Sequence, residues 1–205
     1  SGTPTSAAAS GTPTTASAAP ATGGGLTGRW TIGRSSTAGY RVREKLARLP
    51  ATSDAVGRTS AITGSIQLDR PGSQLVVASG AQFEVDVSQL RSDESQRDSR
   101  VRTMGLESNR FPKATFLSTG AIEFPASAES GAAVKTDVTG DLTIHGVTKR
   151  VTIPLDTQIN SGRIEVVGSL TFPFSDFGMS PPSIAGIVTV ESNATLEFQL
   201  FFDKA

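Results

Sequence analysis

His145 is the only imidazole in the 205-residue chain, and cysteine is absent. A catalytic zinc site draws several ligands from His, Cys and carboxylates. One histidine and no thiolate leave little to build such a site from. The missing cysteines also exclude a thiol nucleophile and a disulfide framework. A serine triad would have to use His145 as its base, yet no Gly-x-Ser-x-Gly elbow occurs. No spacing singles out two carboxylates for glycosidic chemistry. Asp176-Phe177-Gly178 spells the metal-binding triplet of protein kinases, but the glycine-rich loop, strand lysine and catalytic-loop motif that give it meaning are missing. Asn193-Ala194-Thr195 is a glycosylation sequon by spelling alone. The chain is therefore read as a non-enzyme, with no catalytic residue, metal or cofactor assigned.

Two features keep some chemical promise. Arg97-Asp98 places a guanidinium fork, suited to phosphate oxygens, beside a carboxylate. The plainer reading is a solvated helix face, or a buried pair anchoring a helix to a rim. His145 precedes Gly146, so a local hydrogen bond at a hairpin turn competes with a role in ligand binding.

The elements that must position these residues are β-strands. Ile164, Val166, Leu170, Phe172 and Phe174 share one parity, and so do Val188, Val190, Leu196, Phe198, Leu200 and Phe202. The same period of two runs through Ile62, Ile66 and Leu68, through Val138, Leu142 and Ile144, and through Val151, Ile153 and Leu155. Such one-sided alternation describes antiparallel strands with one wet face. Turn signals at Arg70-Pro71-Gly72-Ser73, His145-Gly146 and Asn160-Ser161-Gly162 separate them. One stretch departs from the pattern. Ser92 to Gly105 reads as a short helix, with Ser92 as N-cap, Asp93 and Glu94 in the first turn, Arg100 and Arg102 near the end, and Gly105 as the stop. Its apolar face is poor, so it is expected to cap a barrel end. Closure removes strand edges, which favours a barrel of about eight to ten strands over an open sandwich.

Residues 1–25 contain only Ser, Gly, Thr, Pro and Ala and supply nothing to pack, so they are read as a flexible linker ahead of a folded domain at 26–205. Because the chain begins at Ser1, an anchoring or signal segment is expected to have been removed, leaving the domain secreted, periplasmic or tethered outside the cytoplasm. Zero net charge argues against nucleic acid as a partner. No apolar run approaches the roughly 18 residues of a membrane span.

Three motifs in register then carry a resemblance. Gly140-Asp141-Leu142-Thr143-Ile144-His145-Gly146-Val147-Thr148-Lys149 resembles the signature of the YceI-like family. Arg97-Asp98 followed by Asn109-Arg110-Phe111-Pro112-Lys113-Ala114-Thr115-Phe116 resembles an upstream block of that family, and Phe174-Ser175-Asp176-Phe177-Gly178 a late one. The resemblance covers about Leu26 to Phe202. It implies an all-β, extended antiparallel, lipocalin-like barrel whose apolar interior holds an isoprenoid chain, such as a polyprenyl lipid or an isoprenoid quinone. Arg34 and Glu44 stand where the family commonly carries histidines, which leaves the head-group preference open.

The expected lumen wall is Tyr40, Ile62, Gly64, Phe83, Phe116, Gly140, Leu142, Gly168, Leu170, Phe172 and Phe198. Head-group candidates are Arg34, Arg97, Asp98 and His145. Gly64, Gly140 and Gly168 lie at the apolar parity of their strands, where missing side chains either open a lumen or let strands bend and pack closely. The alternative to lipid carriage is a non-catalytic interaction module on a stalk, its barrel filled by its own side chains. An internal cavity separates the two readings.

Overall fold

The computed structural model describes residues 25–47, 51–160, 162–184 and 188–205. The linker assigned to residues 1–25 lies outside the described residues except for Gly25, as do Ser161 of the Asn160–Gly162 turn and residues 185–187.

The strands are β1 (Gly28–Ile32), β2 (Thr37–Leu46), β3 (Thr52–Thr59), β4 (Ile62–Asp69), β5 (Leu75–Val77) and β6 (Gln82–Asp86). After helix α1 (Ser95–Thr103) come β7 (Lys113–Ser118), β8 (Ile122–Phe124), β9 (Val134–Ile144), β10 (Val147–Asn160), β11 (Arg163–Pro173), β12 (Ser183–Ile184) and β13 (Val188–Lys204). All pairings are antiparallel. Eight strands close a ring in the order β1, β4, β6, β7, β9, β10, β11, β13 and back to β1. The ring has no free edge.

The barrel is extended by its longest strand. The C-terminal part of β13 pairs with β1, and its earlier part, Val188 to Gln199, pairs with β2. β1 and β2 thus run along β13 as one interrupted strand. The break is held by Ser36, whose hydroxyl donates to the Gly33 carbonyl at 2.8 Å and accepts from the Phe201 N–H at 3.0 Å. Beyond the break β1 stays with β4 while β2 leaves with β3, so the β2–β3 hairpin stands above the ring as a flap. A bulge in β13 between Val190 and Ala194 inserts two residues and so preserves the inward parity of the long apolar series.

Packing differs at the two ends. One is plugged by Trp30, Leu68, Leu75, Phe124, Ile164 and Phe202, each at most 5% exposed. The Trp30 indole N–H donates to the Leu26 carbonyl at 2.8 Å, which satisfies the one polar atom of the plug. The other end is a looser cluster around Ile144, Phe172, Phe174, Phe177 and Met179.

Helix α1 starts later than its sequence suggests. Glu94, not Ser92, is the N-cap, its carboxylate accepting from the Gln96 N–H at 3.4 Å. Ser92 instead donates twice to the Asp98 carboxylate, from its backbone at 2.8 Å and its hydroxyl at 2.7 Å. The Ser92 hydroxyl also accepts from the Glu94 N–H at 3.3 Å, ahead of the helix, while the stronger carboxylate acceptor of Glu94 takes the cap. After the Met104 C-cap, Gly105 turns the chain out at φ +68°.

Candidate ligand-binding site

Inside the barrel lie two adjoining cavities. The outer one, about 600 Å³, is bounded by the β2–β3 flap, α1, the segment after β11 and the start of β13. The inner one, about 130 Å³, lies deeper in the ring. They share Ala38, Val85, Ala114, Ile144 and Leu196, so small or aliphatic side chains form the neck. Several inward-facing residues, among them Phe83, Val85, Phe116, Leu196 and Phe198, are only half-buried although they point to the interior. A filled core would bury them. Above the plugged end the barrel therefore keeps space that its own side chains do not fill.

The inner cavity is almost wholly apolar. Ser118 is satisfied by the Ala81 N–H, which donates to its hydroxyl at 2.9 Å. Thr157, 1% exposed, keeps a hydroxyl with no hydrogen-bond partner. A stable buried water needs two to four polar partners, so this chamber suits hydrocarbon better than water.

Polar groups gather at the outer cavity. Glu44, 8% exposed, accepts from Arg97 at 2.9 Å, joining the flap to α1. Arg97 also pairs with Asp93 one helical turn back. Tyr40 lies in the same wall, its ring over Gly57 on β3 and its hydroxyl buried without a partner. Burial pushes the Tyr40 phenol up to about 12; Asp98, Glu44 and Asp93 push the same way and Arg97 opposes them.

The expected site residues divide accordingly. Tyr40 and Phe172 line the outer cavity, while Ile62, Phe83, Phe116, Leu142 and Phe198 line the inner one. Leu170 packs between core clusters. The three glycines line neither cavity, and the space expected above them is taken. A Cβ at Gly64 would lie 2.4 Å from Phe83 Cδ1, one at Gly140 2.4 Å from Phe116 Cζ, and one at Gly168 2.4 Å from Phe198 Cζ. Each glycine is a seat for an aromatic ring from the neighbouring strand, as Gly57 is for Tyr40. The rings that line the tunnel lie flat because glycine lets them.

Of the head-group candidates, only Arg97 lines a cavity. The Asp98 carboxylate is spent on Ser92. Arg34 is exposed in the turn before β2, its carbonyl accepting from Arg163 at 2.6 Å, at the opposite end of that strand from Glu44. His145 sits at φ +53° and Gly146 at φ +75°, the left-handed pair that a two-residue hairpin between β9 and β10 requires. Its hydrogen bonds are not local, as the turn alone suggests. Nδ1 donates to the Phe177 carbonyl at 3.2 Å, Nε2 meets the Glu107 carboxylate at 2.6 Å, and Phe111 packs on the ring with centroids 4.4 Å apart. The three motifs that carry the family resemblance converge here, as a pin behind the outer cavity wall. The sequence reading missed the cavity-lining Leu90, Val101, Met104 and Met179, which come from irregular segments and α1 where no period of two marks them. It also missed Glu44 as the partner of Arg97. Among the described residues no group of three or more His, Asp or Glu is placed to hold a metal ion.

Residues 30–202 match the model of the YceI-like domain. A UPF0312 protein of Vibrio parahaemolyticus is 29% identical over 143 residues, 66% of this chain and 70% of its own length. Among solved structures, a polyisoprenoid binding domain from Saccharophagus degradans superposes with a TM-score of 0.62 at 17% identity, covering 87% of this chain and 99% of that one. BcnA of Burkholderia cenocepacia gives 0.57 at 22% identity over 80% and 95%. A YceI protein of Campylobacter jejuni gives 0.60 at 16% over 78% and 91%. At these identities the structural likenesses carry the fold.

Proposed function

This chain belongs to the YceI-like domain family, and we propose that it binds an apolar, isoprenoid-type lipid in its barrel for carriage or storage in the cell envelope, outside the cytoplasm. The observation that carries the reading is the pair of adjoining cavities inside a closed ring, apolar at depth and polar only at the outer wall. One structural neighbour is itself described as a polyisoprenoid binding domain. Burying several hundred Å² of hydrocarbon at roughly 25 cal/mol per Å² gives on the order of 10 kcal/mol gross. Much of that is offset by lost ligand freedom. Among the described residues no helix is long and apolar enough to cross a membrane.

The test is direct. Protein purified without detergent is analysed by native mass spectrometry, then extracted with solvent and the extract identified. A stoichiometric lipid with an isoprenoid tail is the expected result. Recovery of no lipid, together with no uptake of a fluorescent isoprenoid analogue, overturns the reading.

A further inference from the structure

On one side the outer cavity is closed by something other than a strand ladder. β3 is an edge strand. It is laddered to β2, with Ala38 opposite Thr59 at one end and Lys45 opposite Thr52 at the other. Its free side faces residues 87–103, the segment after β6 and α1. The foot of this seam is fixed where the Asp86 N–H donates to the Ala61 carbonyl at 2.9 Å. Above the foot, three polar ties cross it among the described residues. The backbone N–H groups of Arg58 and Arg91 donate to each other's carbonyl at 2.8 and 2.9 Å, and Arg97 of α1 donates to Glu44 of β2 at 2.9 Å. Both lips open directly on the cavity, which Ala55 lines from the flap and Val87, Leu90 and Val101 from the other side. The buried positions of β3 at this lip are Ala55 and Gly57, too small to interlock with a neighbour. The opposite lip ends in α1, nine residues long with only Asp98 buried, shorter than a helix that holds its shape alone. Few hydrogen bonds and little apolar burial mark the part of a fold that opens first. β2 and β11, by contrast, are each laddered along β13.

Resting on the isoprenoid reading, we infer that this seam is the gate of the barrel: it parts by breaking the Arg58–Arg91 bridge and the Glu44–Arg97 pair, and an apolar chain enters sideways between β3 and α1. β2 stays on β13 throughout, so the ring below is undisturbed. When the seam closes, the same three ties re-form and the chain is shut away from water. The competing route is end-on threading past Met104 and Pro182, which line the cavity at the far end of α1. That route leaves the seam shut.

The experiment locks the seam. The chain has no cysteine, so Arg58→Cys with Arg91→Cys introduces a single possible disulfide. The two residues form a hydrogen-bonded antiparallel pair, whose Cα atoms lie about 5.5 Å apart with side chains on one face, within reach of a disulfide. Where oxidation is incomplete, dibromobimane bridges the two thiols. Uptake and release of a fluorescent isoprenoid analogue are timed in the full chain, locked and reduced. The locked protein is expected to exchange the analogue at least about tenfold more slowly than the same protein reduced, because the barrier rises by the cost of another route. Reductant should restore the rate of the disulfide form. A second measurement needs no ligand: by amide hydrogen exchange, the Arg58 and Arg91 amides of the unmodified chain are expected to exchange at least about tenfold faster than those of paired β11 and β13 residues. Equal analogue exchange in locked and reduced protein overturns the gate and keeps the isoprenoid reading. Seam amides as protected as those of β11 and β13 also overturn the gate. Uptake in neither state overturns the isoprenoid reading, on which the gate rests.

Discussion

Gly168 and Phe198 are expected to behave as a single unit. They lie directly opposite each other on β11 and β13. A methyl group at Gly168 would sit 2.4 Å from Phe198 Cζ and 2.9 Å from Leu155 Cδ2, both closer than real contacts allow. In a strand with room, replacing glycine by alanine stabilises by about 0.4–1 kcal/mol, because the unfolded chain loses freedom. Here the ring must leave its seat and swing toward the inner cavity, which it lines. Overpacking of this kind costs roughly 1–3 kcal/mol. Gly168→Ala is therefore expected to destabilise by about 1–2 kcal/mol net, a fall of several degrees in Tm for a domain of this size. Phe198→Leu vacates the seat, so the double variant should recover part of the loss, with a coupling energy of about 1 kcal/mol or more. Guanidinium denaturation followed by fluorescence of the single tryptophan, Trp30, reads all four proteins. A Gly168→Ala protein more stable than the parent, or single effects that add within about 0.5 kcal/mol, would refute the ring-over-glycine account.

Four further outcomes are expected. The Tyr40 phenol, ordinarily ionising near 10.0, holds its proton to about 12 in the fold, so the stability it confers is complete below pH 10.0 and is lost as pH rises toward 12; Tyr40→Phe should flatten the alkaline limb of a stability–pH curve, and an unchanged limb refutes the assignment. The hydrogen bond from Arg41, with Arg58 adding, holds the Glu197 carboxyl below its ordinary value, so its contribution is present above that value and disappears as pH falls through the lowered one; Glu197→Gln should weaken the link between the β2–β3 flap and β13 by no more than about 1 kcal/mol, given its solvent exposure, and blunt acid sensitivity in a pH series of thermal melts. Thr157→Val removes an unpaired buried hydroxyl and should raise stability by about 1 kcal/mol in thermal melts, whereas a loss would reveal a partner for that hydroxyl. His145→Ala should cost about 2 kcal/mol by cutting the tie to Glu107 and Phe177, yet leave analogue binding nearly intact because His145 lines neither cavity; loss of binding in a protein that still melts cooperatively contradicts this.

The barrel was legible in the sequence because period-two alternation is a direct image of the pleat. Ile164 to Phe174 and Val188 to Phe202 declare their inward face residue by residue, and even the β13 bulge hides nothing, since two inserted residues leave the parity intact. The glycines stayed open between a lumen and close packing for a physical reason. A glycine at inward parity says only that no side chain starts there; it does not say whether a ring from the next strand arrives. Register decides that, and Gly64 opposite Phe83 or Gly168 opposite Phe198 is knowledge of pairing. The ion pair of Glu44 and Arg97 was hidden likewise, because 53 residues separate a strand from a helix that only the closed fold brings together. His145 was placed correctly in its turn, but its reach to Glu107 and Phe177 crosses two loops whose paths no local pattern sets.

The two ends of this barrel make opposite use of the same strands. At the plugged end, large side chains from β1, β4, β11 and β13 meet with Phe202 and Trp30 nearly buried, and the chamber above narrows to about 130 Å³. At the other end, alanines stand where larger residues would meet: Ala38 and Ala55 on the flap, Ala114 on β7 and Ala194 on β13. Four small residues around one chamber, with rings laid flat over glycines below it, leave space that the close-packing of an ordinary core would remove. That loss of packing must be offset by the surrounding structure, and the ties that hold the open end are polar: Glu44 to Arg97 across the mouth, Glu197 to Arg41 and Arg58 on the outer face of the flap, and His145 to Glu107 behind the wall. Hydrogen bonds and ion pairs fix positions without filling volume, so a chamber meant to stay hollow is framed by polar ties and lined by apolar surface.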